Sequence, residues 1–379
     1  MAVGPGSIYD ISTQRKRFDV DKEIARLIPD ASPFTVFMMR ARKETVNSEK
    51  FFWYDEEPAP WWTQINNVAG YDAVATALVL DTVDHISVKD ILKITRTSEQ
   101  LFVSAVDRVT KTVTVVRGYG ETAAAAITDN DWVLKLGNAM EENSLAPEAR
   151  VDQPMEYYNV TQEIRTPFNG SLKSTKIALQ TSESERQRMR RRKAIEHRLE
   201  IERTLLFGEL KDDVSNKRRT TRGVLSFVKA GGNVYTVGKP LTEAEFELIC
   251  EMAFQYGGDR KLLVACPRII SQINQFAAGK LQVEVGAKTY GVQIMTYLSA
   301  HGRLRIVESR TFEKGYDGMG AIVDMSNIHY RPLNGCDTKL DINLQENDRH
   351  GWLDEYWTEF GVELKLAKTH TLIQNVTAA

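Results

Sequence analysis

An α+β fold follows from three stretches of this 379-residue chain. Residues 181–208 read as one long helix. Residues 85–137 carry β-branched, partly alternating runs, with helical patterns on both sides. From Leu241 onward helical and strand patterns alternate, which builds a sheet flanked by helices.

The long helix organises the rest. Ser182 followed by Glu185 forms a capping box, each side chain satisfying an orphan N–H of the first turn. Gly208 supplies a left-handed stop. Between them lie unbranched helix formers without Pro or Gly, so Glu183–Phe207 is a helix of about 25 residues, roughly 38 Å long. Only Met189 is large and apolar in its first half, whereas Ala194, Ile195, Leu199, Ile201, Leu205, Leu206 and Phe207 crowd the second. The second half is therefore buried in its own domain, and the first is a strut, solvated or laid against another body.

That strut is strongly basic. Arg186, Arg188, Arg190, Arg191, Arg192 and Lys193 gather at a helix N-terminus, where the macrodipole disfavours cations. The Glu185–Arg188 and Arg192–Glu196 pairs offset only a few tenths of a kcal/mol each. A solvated face is one reading, and docking of acidic groups from another chain is the sharper one. Nucleic acid ranks behind both, because a net charge of −2 provides no attracting field.

In chain order, residues 1–19 are a polar, Gly- and Pro-bearing arm, and residues 20–28 a short helix stopped by Pro29. Ser32-Pro33 restarts a buried helix running to about Lys43, and residues 50–54 (KFFWY) are a strand. Pro58 and Pro60 bar a helix in the next stretch, where Trp61 and Trp62 read as packing anchors rather than a ligand cage. The β-rich block 85–137 is a small barrel-like module. Residues 138–180 turn extended again, with a last strand at Ser174–Leu179. Outside the module about 75 residues of 55–180 have no evident core, which implies ordering by another chain.

Beyond Gly208, Thr242 with Glu245 forms another capping box, and Leu241 with Phe246 a hydrophobic staple. Strands follow at Leu262–Ala265, Gly291–Tyr297, Leu304–Glu308 and Ala321–Asp324, with a helix opening at Cys266-Pro267. Tyr356–Leu366 alternates as a half-buried antiparallel strand that returns to the long helix.

Motifs for chemistry are missing. GGNVYTVGKP (231–240) breaks the phosphate-loop spacing at Asn233 and Pro240, and GYDGMG (315–320) fails the dinucleotide spacing. The six histidines lack metal-ligand spacing, and no nucleophile elbow occurs. Three scattered cysteines, Cys250, Cys266 and Cys336, suit a reducing compartment, and the N-terminus lacks the apolar core of a signal peptide. The longest apolar runs, such as Ala73–Leu80, are too short to span a bilayer, so the chain reads as a soluble intracellular product.

The order of arm, short helices, long β excursion, one long helix, α/β region and terminal antiparallel strand resembles the major capsid proteins of tailed bacteriophages. Their Hong-Kong-97-type fold is shared with encapsulins. SAVDRVTKTVTVVRGYG (104–120) is also similar to the small β modules of phage capsid proteins. The resemblance implies an arm at 1–30 and a peripheral domain from 31–54, 181–224 and 331–379, with a spine helix at 183–207. It further implies an extended loop region at 55–180, containing a β insertion domain at 85–137, and an axial domain at 225–330.

The function implied is self-assembly into an icosahedral shell around a viral genome, with no enzymatic activity, cofactor or metal. Partners would be other copies in hexamers and pentamers, then scaffolding, decoration and portal proteins, with DNA only as enclosed content and no membrane. The location would be the virion, after synthesis in the host cytoplasm. On this view Arg186–Lys193 receive the extended loop of an adjacent subunit, with Glu141, Glu142 and Glu148 as acidic partners and Trp61 and Trp62 as interface anchors. The alternatives are a nucleic-acid-binding protein using the same arginines, an enzyme with a site in the α/β region, and an encapsulin-like compartment shell.

Overall fold

The computed structural model describes residues 32–40, 43–143, 153–176, 184–276, 281–282, 288–289, 292–293 and 295–378. The expected arm at 1–30, its helix at 20–28 and the cap Ser182 lie outside these residues. The described residues form two compact units, one of Glu56–Pro154 and one of the residues before and after it.

In the larger unit the long helix runs Glu185–Phe207. Its N-cap is Ser184, which is extended and accepts a hydrogen bond from the Gln187 amide. Gly208 is not the expected left-handed stop, because its φ is −55° and ψ 143°. Packing requires the glycine instead: a Cβ there would lie 2.5 Å from the Thr221 carbonyl oxygen and 2.7 Å from that of Thr204. The second half of the helix buries Ile201, Leu205 and Leu206 in a core shared with Phe34, Met38 and Val224.

Beside the helix lies a sheet built on one long strand, Gly351–Leu364. One side of that strand pairs antiparallel with Gln162–Ser171, from Gly351↔Ser171 to Phe360↔Gln162. The other side pairs with Ile328–Pro332 and Lys339–Asp341. With elements packed on both faces the strand is buried almost throughout, not alternately as its sequence suggested. A second sheet of seven strands has the order 233–236, 371–374, 320–323, 260–265, 303–308, 295–298, 281–282. Helices Glu243–Phe254, capped by the expected Thr242–Glu245 box, and Pro267–Phe276 accompany it.

The expectation that 55–180 stays largely extended is corrected. Strand Met155–Val160 pairs with Lys50–Asp55, and Gln162–Ser171 with the long strand. Pro167 sits on an edge strand opposite Glu355, where a missing N–H is tolerated. The expected strand at Ser174–Leu179 is instead a helical turn at Leu172–Lys176, with the Ser171 hydroxyl capping the Ser174 amide. Two boundaries also move. Thr371–Gln374 joins the seven-stranded sheet, and Ile328–Pro332 leaves it for the long strand.

The smaller unit begins well before residue 85. Six antiparallel strands follow the order 62–64, 132–138, 90–94, 100–107, 112–116, 77–79. An Ile65–Leu80 bridge closes the two ends on each other. Three-residue strands show no readable alternation, which hid 62–64 and 77–79 in the sequence. Leu92, Leu101, Val113 and Val133 fill the inside.

Candidate inter-subunit surface

The first half of the long helix is a row of arginines held by one buried aspartate. Asp354, on the long strand, is wholly buried. It accepts from Arg186 Nε at 2.9 Å, Arg186 Nη2 at 2.5 Å and Arg190 Nη2 at 2.9 Å. Burial by itself would raise the Asp354 carboxyl, but the two guanidinium groups outweigh it and hold the carboxyl below the usual range. The Arg186 guanidinium also lies 5.0 Å from the Trp352 ring. An anion thus sits at the positive end of the helix and steadies the cations that the dipole disfavours.

The other cations are arranged along the helix. Arg188 pairs with Glu185. Arg192 reaches Glu196 at 2.8 Å and Lys193 reaches it at 2.5 Å, and together they lower its carboxyl. Arg191 and Arg192 are exposed. Next to them an open groove of about 380 Å³ is lined by Gln187, Arg190, Arg191, Ala194 and Tyr356. The arrangement corrects the sequence expectation in part: Arg186 and Arg190 already meet Asp354 within the chain, and Arg191 lines the groove beside them.

One turn further along, polar groups lock the helix in place. His197 is buried, with Nδ1 2.8 Å from Thr166 Oγ1 and Nε2 2.8 Å from Thr358 Oγ1. The Thr166 hydroxyl also donates to Glu200 at 3.0 Å and the Thr358 hydroxyl to Thr338 at 2.9 Å, so both threonines tie the ring into a wider polar network. Burial lowers the His197 pKa to about 4, keeping the ring neutral. Glu202 is also fully buried. It accepts from the Thr35 amide at 3.1 Å, the Thr35 hydroxyl at 3.1 Å and the Ser309 hydroxyl at 2.9 Å. Desolvation raises its carboxyl above the ordinary value. Glu202 thereby satisfies an orphan N–H in the first turn of helix Pro33–Arg40.

The other expected interface residues lie in the smaller unit. Trp61 and Trp62 are 68% and 44% exposed. Glu141 and Glu142 are exposed, with Glu141 3.9 Å from Lys89 Nζ. Glu148 lies outside the described residues. Asp354 and Tyr356 were missed, because nothing local in the sequence marks partners more than 160 residues from the helix. Among the described residues, no cluster of three or more His, Cys, Asp or Glu could hold a metal ion. Among the same residues, no helix is long and apolar enough to cross a membrane.

Comparison with known proteins places this architecture. The family model of the SU10 major capsid protein matches residues 7–377. The major capsid protein of Pseudomonas phage PaMx41 is 25% identical over 286 residues, covering 71% of this chain and 68% of that protein. A solved structure from Mycobacterium phage Bobi superposes with a TM-score of 0.53 at 7% identity, covering 97% of each chain. The capsid of a native GTA particle gives 0.51 at 9% identity over 100% of both chains. These two structures share the fold.

Proposed function

The chain belongs to the SU10 major capsid protein family and forms the shell of a phage capsid, and from that premise we propose how its surfaces build the shell. Copies tile a closed icosahedral shell as hexamers and pentamers around the viral DNA, which is content rather than ligand. The exposed side of the long helix at Arg191 and Arg192, where Arg191 lines the groove beside Tyr356, receives an acidic extended segment of an adjacent copy. Glu141 and Glu142, exposed on the smaller unit, supply the acidic groups. The chain is made in the host cytoplasm, and scaffolding, decoration and portal proteins are its further partners.

The observation that carries the reading is the family match over nearly the whole chain. The groove supports the docking contact, since exposed basic side chains beside an open cleft attract acidic chain. A nucleic-acid reading is less favoured, because Arg186 and Arg190 are already matched by Asp354. The test is negative-stain microscopy of purified protein. Wild type forms closed particles or capsomer rings. Arg191→Glu with Arg192→Glu leaves the subunit folded by circular dichroism but blocks particles. Normal particles from that variant would discard the docking contact, and no particles from wild type would discard the shell assembly itself.

A further inference from the structure

The inward and outward faces of the small barrel differ in an unexpected way. Strand alternation gives the inside Leu92, Leu101, Val113 and Val133, each 1% exposed or less. The outward face of such a sheet is ordinarily polar. Here one outward row crosses the centre as Val116, Phe102 and Ile91, and the next as Gln100, Lys93, Leu134 and Trp62. Lys93 is the only charge in these two rows. Trp132 stands edge-on to Trp62, with ring centroids 6.3 Å apart, and Tyr119 stacks on Phe102 at 4.9 Å. Trp62, Trp132, Tyr119 and Val116 are 44%, 50%, 50% and 50% exposed.

We propose that this aromatic outer face of the barrel is a self-association surface, covered in the particle by a second copy of this chain. The inference rests on the shell assembly above and adds a contact separate from the helix groove. Tyr and Trp are enriched in interface cores, from which charge is depleted. The exposed apolar area is roughly 400 Å², as large as the largest patch on a typical monomer. It is also only about half of the ~800 Å² per partner that a specific pair in solution buries. A free partner protein would be held poorly by so small a face. A neighbouring copy in a shell is presented at high effective concentration by its other contacts, so a face of this size suffices. The near absence of charge likewise removes the steering that a foreign charged partner would use.

Oxidative footprinting of Trp62 and Trp132, read by mass spectrometry, tests this on unassembled subunits and on particles made from the purified chain alone. Both rings are expected to be reactive in the subunit and to lose reactivity several-fold in the particle. Trp62→Gln with Trp132→Gln should leave the melting temperature of the subunit unchanged and lower the guanidinium concentration at which particles dissociate. Equal oxidation in subunit and particle overturns the proposal while leaving the shell intact. So does protection already present in the unassembled subunit, or protection that appears only when another virion protein is added. Failure of the shell assembly looks different, since wild type would then give no particles to footprint.

Discussion

The two halves of the long helix use polar groups in opposite ways. From Arg186 to Lys193 the polar groups are ionic and the paired cations stay within reach of water, 25–53% exposed. At His197 and Glu202 they are buried and partnered by hydroxyl and amide groups rather than by opposite charges. Exposed ion pairs contribute little to stability but can be exchanged for a partner's charges. Buried hydrogen-bonded groups do the reverse: they specify one arrangement, and leaving any of them unpaired is costly. The first half can therefore exchange its partners, whereas the second fixes the subunit.

Perturbing the buried half should have the larger effects on the subunit. Glu202→Ala leaves the Thr35 amide and the Ser309 hydroxyl unsatisfied in the core and should cost about 3 kcal/mol, read by urea unfolding of the unassembled chain. A loss within error would mean that water enters and that the site is not a lock.

His197 provides a pH test. Its folded pKa of about 4 lies below the unfolded 6.5, so the folded state binds the proton less readily. Its contribution is full above pH 6.5, declines as the pH falls from 6.5 to 4, and changes no further below that. The loss should be about 2 kcal/mol, discounted from the full shift for residual screening by solvent. It appears as the difference between wild type and His197→Gln, which removes the titration common to both. Parallel pH curves for the two would contradict the assignment.

Asp354 is buried but partners the exposed cations of the first half, and should show an intermediate effect. Asp354→Asn should cost about 1 kcal/mol at pH 7, because Arg186 and Arg190 can partly rehydrate. Its carboxyl is depressed in the folded state, so its contribution is present above the ordinary value of 3.8 and is lost as pH falls through the lower folded value. The gap between wild type and variant should therefore close in strong acid. A gap that persists there would show that shape, not charge, is what Asp354 provides. The smallest effect on the subunit is expected from Arg191→Glu with Arg192→Glu, within about 0.5 kcal/mol. These are the same substitutions that should block assembly, and a large loss of subunit stability would dissolve the distinction between the halves.

Local signals in the sequence were reliable where they were long or chemically marked. The unbroken run of helix formers located the long helix to within two residues, and Thr242–Glu245 marked the capping box of helix Glu243–Phe254. The apolar crowding after Ala194 placed burial in the second half. The interface residues fared unevenly. Arg191, Arg192, Trp61 and Trp62 are exposed as expected, whereas Arg186 and Arg190 are taken up by a partner the sequence does not advertise. Parts of the excursion 55–180 were misread because strands 62–64 and 77–79 are too short for periodicity to act on and Gln162–Ser171 carries Pro167.

Residue order alone thus established a long amphiphilic helix, basic at one end and apolar at the other, because helix periodicity and charge are properties of neighbours. Which aspartate meets those arginines, which threonines hold His197, and which face of the barrel is left aromatic depend on strands brought together across as many as 168 residues. Such partnerships have no local signature: they are chosen by sheet register, and a shift of one residue would turn Asp354 to the opposite face of its strand.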